Sequence, residues 1–221
     1  MERKIKRVLM ALIGVAISGI CVGIFNTAVL GADPFTVFVT GTGNLFGTQY
    51  GNIYPVVTGA FLILVFIIDK HYIGIATIFN LFGVGLVGQL TMNFLAYFFR
   101  DASLWVRIIL LLIGLVLLCF GSALYFTADL GVSAYDAIAL ILARKTPISF
   151  RYCRIGTDLV CVIIGLCFKS TIGIGTVLTA FFMGPVIQWF IEHVARAFLN
   201  GKEVLAEDKI QVEKVKKTLF E

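Results

Sequence analysis

The stretch Leu30-Gly31-Ala32-Asp33-Pro34-Phe35 returns one hundred residues later as Leu130-Gly131-Val132-Ser133-Ala134-Tyr135. A second series of matches follows at an offset of 99 residues, so one residue was lost between the two series. Its glycine and polar matches, which are hard to obtain by chance, are Thr58/Thr157, Lys70/Lys169, Gly74/Gly173, Thr77/Thr176, Gly85/Gly184 and Gln89/Gln188. The chain is therefore predicted to hold two homologous halves, residues 1–102 and 103–199, before a charged cytoplasmic tail over residues 200–221.

Each repeated stretch is predicted to open a short helix. Asp33 or Ser133 can cap the helix, and Pro34 or Ala134 then occupies its first position. The two short helices are expected over Pro34–Phe46 and Val132–Ala143. Each is only about half as long as a helix that crosses a bilayer. They are therefore either re-entrant helices, which enter and leave on one side, or short true spans.

The composition of the chain excludes a soluble globular protein. Of its 221 residues, 59% are hydrophobic and 14% are charged, and the mean hydropathy is +0.98. A soluble domain has roughly 25% charged residues, and a disordered chain has a lower hydrophobicity than this one. Of the 31 charged residues, five lie in residues 1–7 and ten in residues 200–221. Residues 8–199 therefore contain a smaller fraction of charged residues than the whole chain, as expected for membrane-spanning segments.

Six longer apolar segments are predicted to cross the membrane, since a spanning helix needs about 20 mostly apolar residues. They are Val8–Leu30, Ile53–Ile68, Ile73–Phe99, Leu104–Ala128, Ile155–Phe168 and Ile172–Phe198. The expected fold is an all-α integral membrane protein with six full spans plus two short or re-entrant helices, or alternatively with eight spans. Re-entrant helices would make the two halves inverted, and crossing helices would make them parallel. The shortness of these helices favours inversion, whereas the positions of the basic residues slightly favour the parallel arrangement.

Both ends of the chain are predicted to lie in the cytoplasm. Four basic residues precede the first apolar segment, as the positive-inside rule requires for a cytoplasmic N-terminus. They are Arg3, Lys4, Lys6 and Arg7. The first apolar segment is longer than the ~7–15 residues of a signal-peptide core, so an uncleaved span is expected.

The turns of the repeat resemble those of a known family. A Leu-Gly turn precedes each short helix, and the runs Ile73–Thr77 and Ile172–Thr176 open the last span of each half. In these features residues 8–199 resemble the YczE/YyaS/YitT-like bacterial integral membrane protein family. The sequence departs from the family pattern at Thr36, Ala76 and Ala134. The resemblance implies a multi-pass protein of the bacterial inner membrane, in a largely uncharacterised family for which transport is suspected.

The second half carries the strongest candidate site residues. Arg151, Arg154 and Asp158 are spaced i, i+3, i+7 and share one helix face, and Asp158 can pair with Arg154 one turn away. Asp136 lies on the preceding short helix. Its polar neighbours in the sequence are Asp129 and Tyr135. Because ionisable groups at membrane depth are costly, we predict that Asp136, Arg154 and Asp158 form a buried polar cluster that contacts substrate or carries a proton. The alternative is a structural ion pair with Arg151 at the membrane interface.

The repeated polar residues are a second candidate set. Thr77 and Thr176 follow a Gly-containing turn and are expected to cap a helix or to line a cavity. Gln89 and Gln188 are expected to hydrogen-bond between helices. The N-terminus of a short helix suits an anionic substrate, but in the first half Asp33 already occupies that place.

These patterns predict a multi-pass transporter or permease for a small polar metabolite, a secondary carrier because nucleotide-binding motifs are absent. The alternatives are a substrate-capture subunit of an energised transporter and a non-transporting membrane scaffold or sensor. No enzyme, cofactor or metal site is expected, since the cysteines form no C-x-x-C pair and the two histidines have no partner at metal spacing. The expected partners are the lipid bilayer and an unidentified small molecule, without nucleic acid. The sequence does not decide whether the protein forms a homo-oligomer.

Overall fold

The computed structural model describes residues 2–99, 102–148 and 150–200, and this part of the chain is helical without strands. The helices are α1 (Glu2–Ala28), α2 (Pro34–Phe46), α3 (Tyr50–Ile68), α4 (Ile75–Phe98), α5 (Leu104–Ala128), α6 (Ala134–Lys145), α7 (Phe150–Cys167), α8 (Ile174–Phe190) and α9 (Arg196–Asn200). A π-helical turn, Ile191–Ala195, joins α8 to α9. The charged tail beyond residue 200 lies outside the described residues.

Five helical segments in this part are long and apolar enough to cross a membrane. They are Lys4–Ala28, Tyr50–Ile68, Ile75–Phe98, Leu104–Ala128 and Ile174–Leu199. The sixth predicted span, Ile155–Phe168, falls in α7, whose 18 residues include Arg151, Arg154 and Asp158. These three charges set α7 apart from the five apolar segments.

Both short helices are present, and their caps are the predicted ones. The Asp33 carboxylate accepts a hydrogen bond from the Thr36 N–H at 3.2 Å, and α2 begins at Pro34. Ser133 Oγ accepts from the Asp136 N–H at 3.1 Å, and α6 begins after it. The prediction that the second short helix spans Val132–Ala143 was two residues too early at both ends. As the cap, Ser133 has extended backbone angles, so Val132 precedes the helix.

Several long helices begin earlier than the apolar segments predicted. α1 starts at Glu2 rather than Val8, and α7 starts at Phe150 rather than Ile155. Apolarity defines only the part of a helix that is buried in lipid. The backbone hydrogen bonds continue through the polar residues that precede that part, so the helix extends beyond the apolar segment.

The centre of the bundle is α1, which packs against α5 in the antiparallel direction. A Cβ on Gly14 would lie 2.6 Å from the carbonyl oxygen of Gly121, so the two backbones touch there. Further along α1, Phe25 packs against Gly114, which lies earlier in α5. At the start of α1, Arg7 Nη2 lies 2.8 Å from Asp129 Oδ2, just after α5 ends. The two helices therefore run in opposite directions.

In contrast, α1 and α4 run parallel. A Cβ on Gly19 would meet Val87, and one on Gly23 would meet Thr91. The pair α5 and α8 is parallel in the same way, since Leu111 packs against Gly175 and Cys119 lies against Met183. Each half thus places its first and last long helices side by side.

The repeated Leu-Gly corners dock on the other half of the chain. Leu30 O accepts the Gly175 N–H at 2.8 Å, and Leu130 O accepts the Ala76 N–H at 3.0 Å. Gly31 has φ 101° and its counterpart in the second half, Gly131, has φ 102°. This conformation favours glycine. α1 therefore ends beside the start of α8, and α5 ends beside the start of α4.

Each short helix returns to the end of the bundle from which it came. Asn44, near the end of α2, donates to Lys169 O at 3.1 Å, close to where α8 begins. Arg144, near the end of α6, lies 3.3 Å from Asp69, close to where α4 begins. The opposite ends of the two helices meet in the middle of the bundle. There Phe35 of α2 stacks on Tyr135 of α6 with ring centroids 4.8 Å apart.

Candidate functional site

A cavity of about 1050 Å³ lies where the N-termini of α2 and α6 meet. Its polar lining comes from both halves of the chain: Ser18, Asp33, Thr36, Tyr50, Tyr54, Tyr72 and Asn80 from the first, and Ser122, Tyr125, Ser133, Tyr135, Asp136, Arg154, Asp158, Thr179 and the predicted Gln188 from the second. The lining reaches the end of the bundle where α4 begins, through the exposed residues His71 and Asp129. It includes the corner Leu130-Gly131 but not the matching corner Leu30-Gly31.

Asp136 is the most fully hydrogen-bonded carboxylate of the cavity and is only 5% exposed. Its position in the first turn of α6 follows from the Ser133 cap. Ser133 Oγ donates to Oδ2 at 2.7 Å, and the Tyr125 hydroxyl donates to the same oxygen from α5. Arg154 Nη1 donates to Oδ1 from α7. Three elements therefore converge on this one side chain.

Arg154 joins two buried carboxylates. Besides Asp136, it contacts Asp158, with Nε 3.3 Å from Oδ1. Its guanidinium carbon lies 4.6 Å from the centre of the Tyr135 ring, a distance typical of a cation–π contact. The Tyr135 hydroxyl donates to Asp158, which is 4% exposed. We call Asp136, Arg154, Asp158, Tyr125 and Tyr135 the acidic–arginine cluster.

Asp33 faces the same cavity with fewer partners. It is half-buried, and its carboxylate accepts the Thr36 N–H of its own helix. None of the basic side chains that the structure describes pairs with it. Tyr50 also lines the cavity and is 6% exposed. Its hydroxyl has no hydrogen-bond partner in that same part of the chain.

An aromatic wall connects the two halves at this point. Phe35 stacks on Tyr135 and meets Tyr54 edge to face, with ring centroids 6.0 Å apart. The Tyr54 hydroxyl in turn donates to Asn80 Oδ1 at 2.9 Å, which ties α3 to α4. These contacts join α2, which Asp33 caps, to α6, which carries Tyr135 and Asp136 of the acidic–arginine cluster.

Residues 5–192 match a family described as "Family of unknown function (DUF6198)", and this match covers well over half of the chain. The chain belongs to this family. The predicted resemblance to the YczE/YyaS-like membrane proteins is confirmed by two relatives from Bacillus subtilis (strain 168). The first, "Uncharacterized protein YyaS", is 26% identical over 191 residues, which is 85% of this chain and 94% of the relative. The second, "Uncharacterized membrane protein YczE", is 24% identical over 162 residues, which is 72% of this chain and 73% of the relative.

A further relative of this DUF6198 member is an "Uncharacterized protein" of Haemophilus influenzae. It is 29% identical over 191 residues, which is 86% of each chain. No solved structure matches the chain. The name of the YczE relative and the five apolar helices together identify the DUF6198 member as a multi-pass membrane protein.

The structure brings four of the predicted second-half residues together and separates one. Asp136, Arg154, Asp158 and Tyr135 are in direct contact, as described above. Asp129 is not part of that cluster. Its left-handed backbone, with φ 50°, directs it outward, and its side chain is 90% exposed where it pairs with Arg7. The side chain of the sixth candidate, Arg151, lies outside the described residues.

The repeated threonines occupy different environments. Thr77 Oγ1 accepts the Gly74 N–H at 3.1 Å and donates to Val132 O at 2.8 Å, so it caps α4 and holds the second-half corner. Thr176 is buried against Gly31 at the matching corner, but its hydroxyl has no partner in the part of the chain described.

The repeated glutamines differ as well. Gln89 Oε1 accepts the Gly51 N–H at 3.1 Å and links α3 to α4, which is the interhelical hydrogen bond expected for it. Gln188 is exposed and donates to Glu192 of its own helix, so the same expectation was wrong for this residue.

Among the residues of the site that sequence reasoning missed are Tyr125 and Tyr50. Both lie in or beside apolar helices, where a buried tyrosine hydroxyl normally needs a polar partner. That requirement was the available signal. It marks the residue as a candidate but does not name the partner, which for Tyr125 lies on another helix.

Proposed function

We propose that this membrane protein is a secondary carrier for a small polar metabolite and that the central cavity is its substrate site. The observation that carries the proposal is the acidic–arginine cluster inside a cavity enclosed by apolar helices. An ionisable residue at the centre of a membrane helix costs about 2.5–3.5 kcal/mol on insertion scales. Residues with this cost are retained in membrane proteins chiefly where they bind a substrate, an ion or a proton.

The proposed carrier consists of two homologous halves in the inverted arrangement. In support, α1 and α5 occupy the same position in their halves and pack antiparallel. The two Leu-Gly corners have almost the same φ and make reciprocal hydrogen bonds, each to the other half. Transporters with inverted repeats and interrupted helices bind substrate where the repeats meet. The junction of α2 and α6 is that place in this molecule.

The proposal includes an orientation. Basic residues such as Lys4 and Lys6 at the start of α1 favour the cytoplasm for that end of the bundle. The cavity lining reaches the same end, through His71 and Asp129, and stops short of the corner Leu30-Gly31. The described conformation is therefore the inward-facing one of an alternating-access cycle, and movement of one half against the other would expose the cavity to the opposite side.

Flux measurements in proteoliposomes test this function. Vesicles that contain the wild-type protein are incubated in an isotope-labelled metabolite extract, with and without an imposed proton gradient, and their lumens are analysed by mass spectrometry. We expect at least one metabolite to accumulate above its level in protein-free vesicles. Asp136→Asn and Asp158→Asn should remove this accumulation, because each leaves the shape of the cavity but changes its charge.

The matched control is Asp69→Asn, which neutralises an aspartate outside the cavity lining and should transport as the wild type does. Folding of every variant is checked by gel filtration and thermal unfolding. If the lumens of vesicles with the protein hold the same metabolites as those of protein-free vesicles, the protein is not a carrier. Wild-type uptake by both cavity variants would show that the acidic–arginine cluster is not the transport site.

A further inference from the structure

The charges that line the cavity do not balance. Four aspartates line it: Asp33, Asp136 and Asp158, and the exposed Asp129 at its end. Asp129 is neutralised by Arg7 at 2.8 Å. Of the other three, Asp136 and Asp158 share Arg154, the single permanently charged base among the described lining residues. With all three carboxylates ionised, the lining carries two excess negative charges.

The two short helices offset part of this excess. A helix N-terminus is equivalent to roughly half a positive charge, and α2 and α6 both direct their N-termini at the cavity. Together they supply about one charge. The cavity therefore lacks about one positive charge, which a bound cation would provide.

Asp33 is the buried-side carboxylate without a described basic partner, although it caps the N-terminus of α2. Both oxygens of Asp136 are occupied, Oδ1 by Arg154 and Oδ2 by Ser133 and Tyr125. Asp33, in contrast, is half-buried at the cavity wall without a basic partner in the described part of the chain. The cavity also contains the buried Tyr50 hydroxyl, which has no partner there. The Asp33 carboxylate calls for a positive charge and the Tyr50 hydroxyl for a hydrogen-bond partner, and one polar, positively charged ligand would satisfy both.

The walls of the cavity suit an organic cation better than a metal ion. Phe35, Tyr50, Tyr54, Tyr125 and Tyr135 contribute aromatic surface, and ring faces attract ammonium groups. A volume of about 1050 Å³ is that of a pocket for a small organic molecule. We propose, on the basis of the carrier function above, that the substrate is a small organic monocation whose positive charge rests between Asp33 and the aromatic wall.

Three probes of nearly the same shape test the charge. Choline carries one positive charge, 3,3-dimethyl-1-butanol is its neutral isostere, and 3,3-dimethylbutyrate is the anionic counterpart. Binding to the full-length protein in lipid nanodiscs is measured by calorimetry and by the shift of the unfolding temperature. We expect saturable binding and a higher unfolding temperature with choline only.

The variant Asp33→Asn should weaken choline binding by at least about tenfold, while Asn keeps the helix cap. Asp69→Asn, outside the cavity, should bind choline as the wild type does. The proposal is overturned if choline does not bind saturably, if the neutral or anionic probe binds as tightly, or if Asp33→Asn leaves the affinity unchanged.

Flux separates this proposal from the carrier proposal. If metabolites accumulate in the vesicles and every one of them is neutral or anionic, the carrier stands and the monocation is wrong. If choline binds through Asp33 and nothing crosses the membrane, the cation site stands and the carrier is wrong.

Discussion

Arg154 is the residue on which the cluster depends most, because it bonds two carboxylates at once. Replacement with Met would leave Asp136 and Asp158 buried without a cation. Removing one partner of a buried ion pair typically costs about 3–5 kcal/mol. We therefore expect Arg154→Met to lower the free energy of unfolding by about that amount, measured by denaturation of the purified protein in mixed micelles.

The matched control is Arg144→Met. Arg144 pairs with Asp69 at 3.3 Å, but its side chain is 64% exposed, and such pairs contribute only about 0–1 kcal/mol. Adding Asp136→Asn to Arg154→Met should recover part of the loss, since it removes one unpaired charge. Equal stability of the two arginine variants would show that the cluster is solvated rather than buried.

The sequence predicted some of these contacts and not others. The pair of Arg154 with Asp158 follows from a four-residue spacing on one helix, and the Asp33 and Ser133 caps follow from local chain geometry. Tyr125 could not be assigned to Asp136, because the two lie on different helices that tertiary packing brings together. The pairing of Asp129 with Arg7 could not be assigned either, because Arg7 lies more than one hundred residues away in the chain.

At the scale of elements, the Leu-Gly corners determine how the halves dock. Gly131 has φ 102°, and a Cβ there would lie 2.5 Å from the backbone nitrogen of Gly74. Gly131→Ala therefore combines a strained backbone with a clash that only movement of α4 can relieve. We expect a loss of about 2–6 kcal/mol in the free energy of unfolding, from backbone strain of about 1–3 kcal/mol and overpacking of similar size.

Gly47→Ala is the control for this corner. Gly47 also has a positive φ, 62°, at the end of α2, but a Cβ there would meet nothing within 4 Å. Gly47→Ala should lower the free energy of unfolding only by the cost of the left-handed conformation, about 1–2 kcal/mol. Unfolding curves of the two variants, recorded side by side, check this. If the free energy of unfolding falls by the same amount in Gly131→Ala and Gly47→Ala, the corner at Gly131 does not dock tightly on α4.

The sequence predicted some helix bounds and missed others: α5 matches its apolar segment, whereas the Ser133-capped α6 begins two residues later than predicted. α2 begins and ends at the residues expected from the Asp33-Pro34 start. α1 begins six residues before the apolar segment that predicted it, because nothing in the sequence stops a helix that leaves the lipid. The direction in which α1 and α5 pack depends on contacts such as Gly14 with Gly121, which periodicity along one segment does not encode.

For the whole molecule, the inverted and parallel arrangements differ in which connections share a side of the membrane. If α2 is re-entrant, the turn after it and the connection between α4 and α5 lie opposite the N-terminus, and the turn before α4 lies with the N-terminus. If α2 crosses, all three change sides. The connections after α6 and α7 keep their sides in both arrangements and so provide internal controls.

Single cysteines in a background without the native cysteines distinguish the arrangements. Gln49→Cys and Ser103→Cys should react with a membrane-impermeant maleimide from the side opposite the N-terminus, and His71→Cys from the side of the N-terminus. All three residues are exposed. Lys145→Cys and Thr171→Cys, on the N-terminal and opposite sides respectively, report whether vesicles are sealed and oriented. If the first three variants react from the reverse sides while both controls are unchanged, the arrangement is parallel. In that case α2 and α6 cross the membrane, and their junction is not a meeting point of re-entrant helices.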